Sequence, residues 1–198
     1  EGSFLVGMIA AMKSQTGTVG FVGGMDIPLI RKFHGGYEQG AKYVNADINV
    51  LMNMTGTTPE AWNNPTKGAE LTKAQIDKGA DVIYQAAGGT GIGVLQAAAD
   101  AGVYGIGVDA NQNYMHPGSV LTSMLKRVDV AVYNAFKTTM DGTYETGVFT
   151  LGLAEDGVGW ALDEHNESLI TADMQNAVEK AKADIISGKI NVVDVSAQ

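Results

Sequence analysis

Short β-branched runs alternate with helical stretches that stop at glycine, and this alternation restricts the chain to one class of architecture. Thr18–Gly24 (TVGFVGG) reads as a buried strand, after which Phe33, Tyr37, Ala41 and Val44 recur at helical spacing. Ile48–Met54 reads as a second strand. Asn64-Pro65 is an N-cap followed by proline at the first helical position, and that helix is expected to run to Lys78 with Gly79 just past its end. Asp81–Gln85 is a third strand, Gly91–Asp100 a helix stopped near Gly102, Tyr104–Val108 a fourth strand and Val120–Leu125 a fifth. A helix over Asp129–Asp141 closes at Gly142, Phe149–Leu153 is the candidate sixth strand, and a last helix over Ala172–Ser187 closes at Gly188. Helices of this kind between short apolar strands are the pattern of right-handed βαβ units, an α/β fold with a parallel sheet flanked by helices. One further helix, Ser3–Ser14, precedes the first strand, so the chain reads as though it starts in the middle of a doubly wound fold.

Composition narrows the function classes. Glycine supplies 26 of 198 residues while proline supplies only 4, which points to many tight strand-to-helix turns rather than to a flexible linker. Thirteen Lys and Arg against 22 Asp and Glu give a net charge of −9. With no basic run, nucleic acid is not an expected partner. The absence of cysteine excludes disulfides, thiolate metal sites and a cysteine nucleophile. His34, His116 and His165 lack metal-ligand spacing, and neither a nucleophile elbow nor a phosphate-binding loop is present, so no metal, no catalytic residue and no cofactor is expected. No apolar run reaches the ~20 residues needed to span a membrane.

In an open α/β sheet, ligands bind where the strands end. The residues at those ends are Gly24-Met25-Asp26, then Thr55-Gly56-Thr57 with Trp62 following, Gly88-Gly89-Thr90-Gly91, Asp109-Ala110-Asn111-Gln112, and Lys126-Arg127. Together they offer an aromatic face, carboxylates, backbone N–H groups in a glycine turn and a lysine, a set suited to a small polyhydroxylated ligand with a flat ring. Each also has a plainer reading. Asp109 could cap a turn, Lys126 could be a solvated charge, Trp62 could plug a small satellite core, and Phe33 lies on an apolar helical stripe of the sort that usually faces a core. Gly89-Thr90-Gly91-Ile92-Gly93, with Asp109 twenty residues beyond Gly89, resembles a dinucleotide fingerprint, but Val94 stands where its third glycine belongs. An NAD(P)-dependent oxidoreductase fragment is therefore the alternative, and the ligand-sensing core of a regulator is another.

The segments VGFVGGMDIPLIRKFHGGYEQGAKYV, WNNPTKGAEL, KGADVIYQAAGGTGIGV, YGIGVDANQN and PGSVLTSMLKRVDVAVY resemble the basic membrane protein family, in unbroken order along nearly the whole chain. These are extracytoplasmic substrate-binding lipoproteins of ABC transporters, similar to the purine nucleoside receptor. The resemblance implies a periplasmic-binding-protein type I fold of two Rossmann-like lobes. It implies capture, without chemistry, of a purine nucleoside of the adenosine, guanosine or inosine type, a permease partner, and a membrane link only through a lipid anchor outside this chain. Carried over by motif position, Trp62 would stack on the base, Gly88 and Gly89 would offer backbone contacts, and Asp109 and Lys126 would hold the ribose. Met25, Asp26 and Phe33 complete the candidate ligand-binding set. The family's first-lobe motif is not in these 198 residues, so residues 1–16 are expected to be the helix ending lobe 1, 17–119 lobe 2, and 120–198 a crossover and C-terminal segment packing back towards lobe 1. On that reading Ser3–Ala11 and the helix from Asp129 would both expose apolar surface in this chain.

Overall fold

The computed structural model describes residues 1–197; Gln198, the last residue of the 120–198 segment, lies outside the described residues. Six strands form one sheet: β1 (Thr18–Met25), β2 (Asn49–Gly56), β3 (Val82–Ala86), β4 (Tyr104–Asp109), β5 (Val120–Lys126) and β6 (Val158–Trp160). Their spatial order is β2-β1-β3-β4-β5-β6, parallel throughout except that β6 runs antiparallel to β5. The chain steps from β1 outward to β2 and then returns to the other side of β1 to lay down β3. The strand order therefore reverses at the β1/β3 boundary, the position where α/β sheets open a crevice for ligands.

Helices α1 (Gly2–Lys13), α2 (Pro28–Val44), α3 (Pro65–Ile76), α4 (Thr90–Asp100), α5 (Val128–Met140) and α6 (Ala172–Ile186) complete the fold. Local signals account for their ends. The Asn64 side chain accepts a hydrogen bond from Lys67 N at 3.0 Å, as an N-cap should, and Gly79 and Gly102 beyond the ends of α3 and α4 take φ of +94° and +70°, which favour glycine. The main core gathers α1, α2 and α6 with β-strand residues such as Phe21, Tyr84 and Leu121, while a smaller cluster of Val22, Ile83 and Val94 forms with Leu51, Leu71 and Ile76.

Two expectations are overturned. Phe149–Leu153 forms no strand: only Leu153 is buried, Phe149 is exposed, and the sixth strand is instead Val158–Trp160, paired with Met124–Lys126. The apolar alternation of Phe149, Leu151 and Leu153 has no neighbouring strand to pair with, and pairing rather than propensity makes a strand. Nor does α1 expose an apolar surface. Leu5, Val6, Ile9 and Ala10 are fully buried, and α1 lies against α2 with close backbone contact. A Cβ at Gly40 would fall 1.9 Å from Phe4 O, and one at Gly7 would fall 2.1 Å from Tyr37 O, so the glycines set how near the helices come. Ser3 Oγ and Tyr84 OH, 3.1 Å apart, tie α1 to the sheet. The other helix behaves as expected: α5 has no buried residue, and Val132, Tyr133, Phe136 and Met140 are exposed.

Candidate functional site

Trp62 ends a 3-10 turn (Pro59–Trp62) that follows β2, and its half-buried indole lies against the ends of β1 and β3, where the strand order reverses. A Cβ on Gly24, near the end of β1, would meet the ring at 2.3 Å, and one on Gly88, just past β3, would sit 3.6 Å from Trp62 Cε3. The indole thus rests on bare backbone from both sides of the switch point. The segment is pinned by Thr90, whose buried Oγ1 donates to Ala61 O at 2.8 Å and accepts from Asn64 N at 2.7 Å. Thr90 brackets Trp62 from either side in the chain and joins it to the start of α4.

Two strands along, Asp109 closes β4 with φ of +67°, a left-handed backbone that non-glycine residues avoid. Ala110 N–H donates to Val108 O at 2.9 Å, making a three-residue turn with Asp109 at its centre. The carboxylate is aimed at the next strand end, where Lys126 Nζ lies 2.9 Å from its Oδ1. Both side chains are about half exposed, so they can meet a ligand.

Beneath this rim runs a network of buried amides. Gln85, fully buried at the end of β3, accepts from Ala87 N at 3.0 Å and donates through Nε2 to Gln112 Oε1 at 2.8 Å. Gln112 Oε1 also accepts from Val108 N at 2.9 Å, and Gln112 N donates to Ser123 Oγ at 2.9 Å. Asn113, also buried, accepts from Ser123 Oγ at 2.9 Å and donates to Asp163 Oδ2 at 3.2 Å. Gln85 and Ser123 are absent from the strand-end residues read from sequence, and Thr90 and Gln112, which are among them, carry no assigned role there. For Gln85 and Ser123 the available signal is a polar residue inside an apolar strand, which requires a partner.

The same network explains the glycine turn. A Cβ at Gly91 would fall 2.1 Å from Gln85 Oε1, and one at Gly93 would fall 1.9 Å from Pro65 O. Gly91 makes room for a buried amide and Gly93 lets α4 approach α3. The N–H groups of Thr90, Gly91 and Ile92 bond back to Ala87 O, Gly88 O and Gly89 O at 3.2, 3.0 and 3.2 Å, rather than opening towards a pyrophosphate. The spacing that resembled a dinucleotide fingerprint therefore has a packing origin.

Three candidates remain, two of them at the end of β1 next to Gly24. Asp26 receives both Arg31 Nε and Nη2 at 2.8 Å, which holds its carboxyl below the usual range and occupies both oxygens. Met25 is half-buried, paired in register with Gly56. Phe33, in the second turn of α2, packs against the main core. The structure brings together Trp62 with Gly88 and Gly89, and Asp109 with Lys126, and both Phe33 and Trp62 are partly buried against the main core. A separate groove of about 450 Å³ between α5 and residues 143–151 shares no residue with this rim. Among the described residues, no three His, Asp or Glu cluster as metal ligands, and no helix is long and apolar enough to cross a membrane.

Residues 1–195 match the family model described as ABC transporter substrate-binding protein PnrA-like. The chain is 38% identical to basic membrane protein D of Borreliella burgdorferi, over 97% of this chain and 56% of that protein. It is 36% identical to the ABC transporter nucleoside-binding protein BmpA of Lactococcus lactis, over 97% of this chain and 57% of that protein. Among solved structures, an ABC transporter solute-binding protein from Aeropyrum pernix superposes with a TM-score of 0.84 at 32% identity, covering 98% of this chain and 64% of that one. The chain thus spans little more than half the length of the two curated relatives.

Proposed function

We propose a function from one premise: the chain belongs to the PnrA-like ABC transporter substrate-binding protein family. On this reading it supplies one wall of the binding cleft of an extracytoplasmic receptor that captures a purine nucleoside for uptake and passes it unaltered to a membrane permease. The lobe division at residues 16 and 119, and a lipid anchor outside these residues, belong to the same proposal. The Lactococcus relative named as nucleoside-binding supports the ligand class.

The observation that carries the reading is the Asp109–Lys126 pair, presented half-exposed from neighbouring strand ends on the same rim as Trp62. With Oδ1 engaged by Lys126, Oδ2 of Asp109 is the acceptor for a ribose hydroxyl, and Lys126 can donate to another. Vicinal hydroxyls call for such a donor–acceptor pair, and charge-assisted bonds to them are the stronger kind. Trp62 supplies a flat apolar surface for the base, and the Gly88 turn lets a ring approach the backbone. Two strand spacings, roughly 10 Å, separate β1 from β4, the scale of a base joined to a pentose. Nothing in this set needs to move a proton or a hydride, which favours binding over catalysis.

Mass spectrometry of small molecules released from the purified, denatured protein tests the reading. A purine nucleoside is expected. Release of a nicotinamide dinucleotide would overturn it in favour of the oxidoreductase alternative.

A further inference from the structure

We infer that Gln112 is a positioning residue for sugar recognition, holding Asp109 in the turn from which its carboxylate meets Lys126. This rests on the nucleoside reading above and deepens it by naming what makes the site prefer a nucleoside to its free base.

A positive-φ turn centred on a non-glycine residue is sparsely populated and persists only where its surroundings over-determine it. Glycine would adopt φ of +67° at position 109 without strain, and 26 glycines elsewhere show that the chain uses that residue freely. What aspartate adds at position 109 is its carboxylate.

Gln112 is what holds the turn. The Val108 N–H enters the turn and donates to Gln112 Oε1 at 2.9 Å, while Ala110 N–H closes the turn on Val108 O at 2.9 Å. The orientation of the Gln112 amide is determined by its neighbour. Gln85 Oε1 already accepts from Ala87 N at 3.0 Å, so its Nε2 must face Gln112 as a donor, at 2.8 Å, and Gln112 must answer with oxygen. The backbone of Gln112 is anchored in turn by its N–H to Ser123 Oγ at 2.9 Å. Space for the amide is kept by glycine: a Cβ at Gly107 would fall 2.8 Å from Gln112 Oε1 and 2.6 Å from Ser123 Oγ. One amide pair therefore bridges the end of β3, where the Gly88 turn begins, to the end of β4, where Asp109 stands. The Asp109 carboxylate pairs outward with Lys126. The network beneath fixes where the carboxylate is, while its charge stays available to a hydroxyl.

The test is titration of the chain with adenosine and with adenine, followed by NMR so that weak binding is measurable. Wild type is compared with Asp109→Ala, Gln112→Leu, Gln112→Met and Gln112→Glu, and Ala110 amide exchange is read without ligand. Gln112→Leu should lower the adenosine-to-adenine affinity ratio about 10-fold and speed Ala110 exchange, the scale of one lost hydrogen bond to a charged group. Gln112→Met, which fills the same space with a flexible side chain, should do the same and serves if the leucine variant does not fold. Gln112→Glu retains an oxygen able to accept both bonds and should keep the ratio. An unchanged ratio in the leucine or methionine variant, with a lowered one in Asp109→Ala, overturns the role of Gln112 and leaves the nucleoside reading standing. A glutamate variant that loses as much as the leucine variant also overturns it. An unchanged ratio even in Asp109→Ala overturns the nucleoside reading, and the inference with it.

Discussion

Lys126 reaches Asp109 across the ends of two neighbouring parallel strands at 2.9 Å, and both side chains stay about half exposed, 44% and 51%. An ion pair this wet contributes little to folding, typically ~0–1 kcal/mol. Its residues can therefore be altered for binding at small cost to stability.

Asp109 separates the two effects. Asp109→Ala should weaken adenosine binding by roughly ten- to a hundredfold while adenine binding changes much less. Asp109→Gly should lose the same binding yet be more stable than Asp109→Ala by about 1 kcal/mol, because glycine relaxes the positive φ. Calorimetric titration and urea unfolding measure the two quantities. Equal stability of the glycine and alanine variants would show that the turn is not strained.

Trp62 is open to a test from beneath. Since a Cβ at Gly24 would lie 2.3 Å from the indole, Gly24→Ala should displace the ring and shift the tryptophan emission. Trp160, whose indole N–H donates to Glu179 Oε1 at 3.0 Å, should hold its place. Trp62→Ala should cost on the order of 1–3 kcal/mol of ligand binding if the ring stacks on a base. Affinity unchanged in Trp62→Ala would assign the indole to packing alone.

The contact between α1 and α2 leaves no room for a methyl group at Gly40, where the obstacle is the backbone oxygen of Phe4 at 1.9 Å. Gly40→Ala should destabilise the chain by about 1–3 kcal/mol or more, as overpacking does. Gly159→Ala, where a Cβ meets nothing within 4 Å, is the control and should be close to neutral in thermal unfolding.

Asp184, in the last turn of α6, lies between Lys180 Nζ at 2.5 Å and Lys189 Nζ at 3.0 Å, and these hydrogen bonds, Lys180's foremost, hold its carboxyl below the usual carboxylate range. A depressed folded value means that the stabilisation is complete above the unfolded pKa of ~4 and is lost as pH falls through the folded value. Asp184→Asn should therefore lower the melting temperature at pH 7, and its deficit should shrink as pH falls below the unfolded pKa of ~4. A deficit independent of pH would show that the carboxylate charge is not what stabilises the turn.

The exposed face of α5 should make this 198-residue chain self-associate, since Phe136 is 69% exposed and Met140 87% exposed beside Val132 and Tyr133. Light scattering across a concentration series should show the association, and Phe136→Lys should reduce it without lowering the melting temperature. A monomer at all concentrations would be the contrary result.

The strand–helix alternation, the glycine stops at Gly79 and Gly102 and the Asn64 cap were all legible in the sequence, because each is decided by residues within a few positions of one another. Asp109 and Lys126 were legible as strand-end residues. Their 2.9 Å pairing was not, since it depends on the register between β4 and β5, which lines Asp109 up with Leu125. Tertiary structure also decided that α1 is buried within this body, that Val158–Trp160 rather than Phe149–Leu153 supplies the last strand, and that Gly91 and Gly93 serve packing rather than phosphate. Local backbone preference and hydrophobic period act over short stretches of chain and can be read from them. The partner of a helix face, the neighbour of a strand edge and the space a missing Cβ leaves are set by segments far apart in sequence, and they take definite values only when the chain has packed.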